Sequence, residues 1–500
     1  MKRQSMAQAT LVMVVVGFLT KVLGMVNRVV VTRSLGESGI GVYMLISPTV
    51  MLLATLATIG LPVAIPALVS RGELKEGKIL STSFIITIVL SGSIALLMFF
   101  AADPIATHVL KDERTMLPLM MIGPLLFVVS FTAILKSYFQ GKQNMTPGAL
   151  STLAEQVVRM GLSIVFITWL LPRGIEYAVV GLMLASIAGE LVSAIILLGL
   201  FLRFKKQHYP RSNLVLPKLA PVNFKDVLGI SLPTTGSRLI GTLTHFLEPI
   251  IVVRILFTMG YASDQSTAMY GAVSGFAIPL LFMPSFISSA VTQAIIPAIG
   301  RSYREQNFSV IRTRLSTAFK VAFVTSGLYM VLVMVFPYEI MELLYHSTTG
   351  AEFLWMMAPI FLLLYFQAPL VAVLQAIGEA KFALHASLVS SVIKIGVMTV
   401  LMLIPGVNIW GLVISILVNI VILTIWYYVM VAKRIDYQLN VLKMANGMLI
   451  LGIVYMLGKY LNNLLAFNSQ LVHVVFIGLA LLLTHVGLSL VGGMFPKERG

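Results

Sequence analysis

The sequence contains no cysteine and little charge: of 500 residues, 11% are charged, with 19 acids set against 35 Lys and Arg. Without cysteine there is neither a disulfide framework nor a thiolate metal site. With 58% hydrophobic residues and so few charges, the chain cannot clothe itself as a soluble protein does. Long polar segments are missing as well. The longest loop, about 203–223, is too short to fold as a domain of its own. Nor does the sequence hold a phosphate-cradling glycine loop, a pair of catalytic carboxylates, a Ser/His/Asp arrangement or a metal-ligand spacing. His245 and His385 stand alone in or beside apolar runs and read as packing residues. The expectation is a protein that is not an enzyme and carries no cofactor and no metal.

What is present is a series of apolar runs of about 20 residues, the length a helix needs to cross ~30 Å of hydrocarbon. Fourteen are read, at roughly 6–34, 40–69, 79–102, 115–140, 147–171, 176–202, 224–258, 265–299, 310–337, 351–376, 384–405, 408–432, 439–461 and 470–493. The fold class is an all-α polytopic membrane protein. Lys2 and Arg3 precede the first run as they would in a secretion signal, yet Lys21 and Arg28 lie inside it and no small-residue cleavage site follows. It reads as a retained span.

The net charge of +16 is mostly topology. With the N-terminus in the cytoplasm, inner loops hold Arg71, Lys75, Lys78, Lys142, Arg203, Lys205, Lys206, Arg211, Lys218, Arg301, Arg304, Arg312, Arg314, Lys381, Lys433, Arg434, Lys497 and Arg499. Outer loops hold Lys111, Arg114, Arg173 and Lys459, offset by acids such as Asp112, Glu176 and Asp264. That is the positive-inside pattern of a cytoplasmic-membrane protein with both termini inside. No aromatic-interleaved basic domain exists, so nucleic acid is not a partner.

The chain also resembles itself. An offset of 235 aligns Pro124 with Pro359, Gln140 with Gln375, Arg159 with Lys394 and Gly161 with Gly396, and Ile65-Pro66-Ala67 echoes Ile296-Pro297-Ala298. This ordered set predicts two six-helix lobes, 1–205 and 224–435, joined by a basic linker at 206–223. Residues 436–500 add two C-terminal spans and a short tail. Six spans per repeat give both lobes one orientation, as parallel repeats around a central cavity.

Mid-span charges carry the chemistry. A cation at mid-bilayer depth costs at least ~2.5–3.5 kcal/mol, so it usually faces a polar cavity or a partner. Lys21, Arg159, Arg238 and Lys394 are placed this way. Arg28, seven residues after Lys21, shares its helix face, with Asn27 about a third of a turn away. Snorkelling to the interface is the competing reading for Arg28. Glu155 and Arg159, four apart, can pair on one face, either as a neutral structural pair or as one that opens to an anion. Lys394 has no such acid. Pro233, Gly236 and Gly241 around Arg238 predict a hinged helix. Glu190 and Glu248 are the other intramembrane acids, read with Glu155 as counter-ions or coupling sites, or equally as structural salt bridges.

The stretches GFLTKVLGMVNRVVVTRSLGESGIGVYM (17–44), YFQGKQNMTP (138–147), GIEYAVVGLMLASIAGEL (174–191), SLPTTGSRLIGTLTHFLEPI (231–250) and YFQAPLVAVLQAIG (365–378) resemble the multidrug/oligosaccharidyl-lipid/polysaccharide exporter superfamily. Within it, the chain is similar to the sporulation branch of the polysaccharide biosynthesis (lipid-linked oligosaccharide flippase) family. The resemblance implies a V-shaped cavity between two six-helix lobes and a lipid-linked anionic sugar precursor as ligand. For this branch it implies a precursor of spore-cortex peptidoglycan. Lys21 with Val22-Leu23-Gly24 matches a cavity cation motif of the peptidoglycan-precursor flippases. Two departures stand out: the next basic residue is displaced by one to Arg28, and YGAVSGFAIPLLFMP (270–284) lacks the arginine those flippases place there.

The expected function is therefore flipping of an undecaprenyl-pyrophosphate-linked cell-wall precursor, with Lys21, Asn27, Arg28, Arg159, Arg238 and Lys394 meeting the anion. Membrane lipids and cell-wall synthases are the further partners. The alternatives are a cation-coupled drug exporter of the same fold and a non-transporting partner of a cell-wall synthase.

Overall fold

The computed structural model describes residues 6–71, 76–208, 224–465 and 467–494. Most of the expected basic linker lies outside them, as do Lys75, Lys497 and Arg499 of the charge pattern. All regular structure among the described residues is helical, and the chain divides by contacts into two units, Met1–Gly271 and Ala272–Gly500. The first holds α1 (Met6–Thr58), α2 (Leu61–Arg71), α3 (Glu76–Pro104), α4 (Met116–Met120), α5 (Ile122–Gly141), α6 (Thr146–Leu170), α7 (Ile175–His208), α8 (Phe224–Thr258) and α9 (Ser263–Gly271). The second holds α10 (Ile278–Leu281), α11 (Ser285–Arg304), α12 (Phe308–Val335), α13 (Pro337–Tyr345), α14 (Ala351–Ala376), α15 (Ala380–Met402), α16 (Trp410–Ile435), α17 (Val441–Leu464) and α18 (Gln470–Val491).

Twelve helical runs among the described residues are long and apolar enough to cross a membrane. The count differs from the expected fourteen in two places. The first two expected spans are counted within one run, Val16–Arg71, which breaks between them at Gly36, and the eighth is broken into short pieces. In the first run, Gly36 at φ 66 and ψ −172 interrupts α1 with a backbone conformation that favours glycine. A straight helix would separate residues 28 and 44 by about 24 Å. The Arg28 guanidinium instead donates to Met44 Sδ at 3.0 Å, so the limb after Gly36 folds back on the limb before it. In the eighth, α9 gives way to a π-helical stretch at Ala272–Ala277, then to α10 and a turn before α11. Pro279 sits in the first turn of α10 and Pro284 directly before α11; each lacks the N–H that a continuous helix would use. Around Arg238, where a hinge is expected, α8 is assigned as one helix from Phe224 to Thr258. The Thr235 hydroxyl donates to the Ser231 carbonyl within it at 2.7 Å.

In the first unit α1 packs against α6, α8 and α9, and α6 lies along α7. A polar knot holds the chain just past Gly36. Arg114 forks onto Asp112 at 2.8 and 2.6 Å and donates to Ser38 Oγ at 2.6 Å. Thr267 on α9 donates to Asp112 Oδ2 at 2.8 Å. At another corner Lys142 pairs with Glu76, which also accepts from the Tyr138 hydroxyl at 2.8 Å.

In the second unit the core of α12, α14 and α16 is built from residues such as Leu315, Leu370, Leu374, Tyr427 and Val431. Helices α17 and α18 lean on α12, with His485 Nε2 bonded to the Val324 carbonyl at 3.0 Å. Large apolar side chains cover the outside: Phe100, Met456 and Leu483 are 71%, 72% and 74% exposed. Helices whose backbone groups are satisfied internally and whose outer faces are apolar are what a bilayer accepts. The chain is a multi-pass membrane protein.

Candidate functional site

The site forms on three helices of the first unit. Spacing by four puts Thr132 and Lys136 on one face of α5, and Glu155 and Arg159 on one face of α6. Glu190 projects from α7. The two Glu155 oxygens are shared out, Oε2 to Lys136 Nζ at 3.1 Å and Oε1 to Arg159 Nη1 at 3.3 Å. The Glu155 side chain is 7% exposed, whereas Lys136 and Arg159 are 28% and 25% exposed. A buried carboxylate thus holds two cations that both keep an open side. Glu190 accepts from Thr132 Oγ1 at 2.7 Å and lies within electrostatic reach of Lys136, Glu155 and Arg159. The close approach of α7 to α6 depends on Gly189, where a Cβ would stand 2.9 Å from the Glu155 carbonyl oxygen and 3.1 Å from Arg159 Cβ.

Of the nine residues singled out from sequence, the structure gathers Glu155, Arg159 and Glu190 into this cluster. Lys21 is an exposed position on α1. Arg28 is half-buried and points along the return limb of α1, with its guanidinium carbon 6.0 Å from the Tyr43 ring centre. The Asn27 Oδ1 is buried and accepts no hydrogen bond among the described residues. Arg238 on α8 is exposed and lines a cavity of about 200 Å³ with Met51, Ala54, Thr55, Thr58 and Gly60. Glu248 is buried on α8 at 7% exposure. Lys394 belongs to the other unit, 8% exposed on α15. One turn before it Ser390 takes the place that Glu155 holds before Arg159, and its hydroxyl bonds Asn419. Of the two histidines read as packing residues, His385 is exposed and bonds its own helix at the Lys381 carbonyl, 2.8 Å away. No group of metal-binding side chains occurs among the described residues.

Sequence reading missed Lys136. It lies near the end of its span, where a lysine passes for an interfacial charge. Its spacing by four from Thr132 was the available signal, and only the packing of α5 on α7 and α6 gives it a partner.

A family described as Polysaccharide biosynthesis protein matches residues 6–303. Stage V sporulation protein B of Bacillus subtilis (strain 168) is 39% identical over 482 residues, covering 94% of this chain and 92% of that one. The chain belongs to this family. A second family, MatE, matches residues 242–400, which sets the chain in the multidrug/oligosaccharidyl-lipid/polysaccharide exporter superfamily. Among solved structures, one titled lipid II flippase MurJ, inward closed conformation, aligns at TM-score 0.70 and 14% identity over 95% of this chain and 98% of its own. An inward-facing multidrug resistance MATE family transporter aligns at TM-score 0.66 and 18% identity over 83% and 94%. At such identities the likeness is one of fold.

Proposed function

We propose that the chain is a flippase that carries an undecaprenyl-pyrophosphate-linked cell-wall precursor from the inner to the outer leaflet by alternating access. The spore-cortex form of peptidoglycan is the proposed destination. The observation that carries this reading is the Glu155 carboxylate shared by Lys136 and Arg159. Two half-open cations held at one buried acid are arranged to be recruited by a pyrophosphate, which replaces the carboxylate with more charge and more acceptor oxygens. Lys21, Asn27, Arg28, Arg238 and Lys394 are proposed as further contacts along the path. Glu190 and Glu248 are proposed to balance them or to couple transport to an ion.

The sequence repeats 1–205 and 224–435 are proposed to move as lobes. Their helices support the duplication: α14 ends 235 residues after α5, and α16 begins 235 residues after α7. The proposed setting is the cytoplasmic membrane with both termini inside, beside the cell-wall synthases that consume the product. The names of the similar proteins, a sporulation protein and a lipid II flippase, agree with this substrate class.

The fold likeness to a multidrug transporter favours a second reading, export of small cations. Such a ligand calls for an acid-dominated path, whereas intramembrane bases outnumber acids among the residues above. Labelled precursor in proteoliposomes tests the choice. Flipping that survives Lys21→Ala combined with Arg159→Ala would sink the charge assignment.

A further inference from the structure

Pro284 stands near the middle of the eighth expected span, 265–299, and has no N–H to offer the Leu280 carbonyl four residues before it. The chain breaks there. Leu281 ends α10 and Ser285 begins α11. Between them the Met283 N–H turns to the Leu280 carbonyl at 3.0 Å, and the Ser285 N–H turns to Phe282 at 3.0 Å. A continuous helix would instead send the Ser285 N–H to Leu281. Two carbonyls at mid-bilayer depth thus lose their helical donors, where no water can replace them.

Two tyrosines on neighbouring helices of the same unit supply the donors. The Tyr329 hydroxyl of α12 donates to the Leu280 carbonyl at 2.9 Å, and the Tyr365 hydroxyl of α14 donates to the Leu281 carbonyl. Tyr365 is 1% exposed. The two bonds are not equivalent. In a straightened span the Ser285 N–H would return to Leu281 and displace Tyr365. Leu280 would gain no backbone donor, because Pro284 has none, and would keep Tyr329. Proline does not forbid the straight form, since Pro359 and Pro369 lie inside unbroken α14. A π-helical stretch, Ala272–Ala277, leads into α10, and such irregular turns recur at functional sites.

We propose that the eighth span is a two-state joint that exchanges the donor on the Leu281 carbonyl, Tyr365 when bent and the Ser285 N–H when straight, while Tyr329 holds Leu280 throughout. Straightening at the midplane changes the direction of α11, and broken helices at this depth are where transporters change shape. Its use in transport rests on the alternating-access reading. The two tyrosines then pull opposite ways. Tyr365→Phe removes a bond made only in the bent form, and so favours the straight one. Tyr329→Phe leaves Leu280 with the Met283 N–H when bent and with no donor when straight, and so favours the bent form.

The chain has no cysteine, so nitroxides at Gln265→Cys in α9 and Arg304→Cys at the end of α11 report the length of the span. Double electron–electron resonance on the full-length protein in nanodiscs reads the distance. A straight helix would set these residues about 58 Å apart, and a bent one less. The expected result is two distances in the labelled protein. The odds of the longer one should rise about fivefold with Tyr365→Phe and fall about fivefold with Tyr329→Phe, the weight of one net hydrogen bond. Pro284→Ala, which restores a donor to Leu280 and leaves both tyrosines in place, should raise the longer distance too. One unchanging distance in all four proteins would overturn the proposal, as would tyrosine variants that shift it the same way. Because the readout is a distance, opposite shifts in a protein that flips no precursor would uphold the joint and overturn the flippase reading alone.

Discussion

Neutralising Glu155 separates a recruiting site from a merely structural ion pair. Glu155→Gln keeps shape and hydrogen-bonding capacity but removes the charge that holds Lys136 at 3.1 Å and Arg159 at 3.3 Å. At an effective dielectric near 20, each contact at about 4 Å has a Coulomb energy of about 4 kcal/mol. Because both cations are about a quarter exposed, solvent screening and desolvation reduce this to a net of about 1–2 kcal/mol per pair. If an anionic lipid must displace Glu155 to reach the cations, the substitution removes that competition. The variant should then bind a pyrophosphate-bearing polyprenyl lipid about 5–30-fold more tightly, since every ~1.4 kcal/mol is tenfold. It should also melt earlier in detergent, because two partly buried cations lose their partner. Equilibrium binding of a fluorescent polyprenyl pyrophosphate, paired with a thermal melt, reads both. A variant that melts earlier but binds no more tightly would refute recruitment and leave Glu155 a structural residue.

Lys136→Gln should weaken binding of the same lipid about tenfold while Glu155 keeps Arg159 in place; unchanged binding would remove Lys136 from the site. Gly189→Val forces a side chain against the Glu155 carbonyl and Arg159 Cβ, and should cost about 1–3 kcal/mol in a detergent melt. A melt within error of wild type would show that α6 and α7 give way there. Asp112→Asn unties the fork from Arg114 and weakens the tie to Thr267, so proteolysis or hydrogen exchange should rise around residues 36–40 and 263–271. Unchanged protection in both segments would mean that the Gly36 bend is held by packing alone. Lys394→Arg should retain flipping and Lys394→Ala should lose it, with the flipping assay deciding; equal rates would make the buried lysine dispensable.

Most of the helices were legible because span length and apolarity are set by the bilayer and need no knowledge of packing. The Glu155–Arg159 pair was legible for a similar reason, since spacing by four on a helix makes neighbours whatever surrounds it. Other features depend on what the backbone does between residues far apart in sequence. The break between the first two spans was legible as the gap at 35–39, but nothing local says that their limbs meet at Arg28 and Met44. Prolines alone do not decide helix continuity. Pro359 and Pro369 sit inside unbroken α14, while Pro279 and Pro284 accompany a helix only four residues long, because tertiary partners decide whether freed carbonyls are satisfied. The pairing of Lys136 with α6, and of Glu190 with Thr132, is tertiary in the same sense.

The most direct test of the account is leaflet-to-leaflet movement of a labelled undecaprenyl-pyrophosphate-linked disaccharide-pentapeptide in proteoliposomes, comparing wild type with Lys136→Gln/Arg159→Ala. The account predicts flipping by the wild type and at least about a tenfold slower rate for the variant at sub-saturating lipid. A wild type that moves no labelled precursor, or a double variant that moves it as fast, would contradict it.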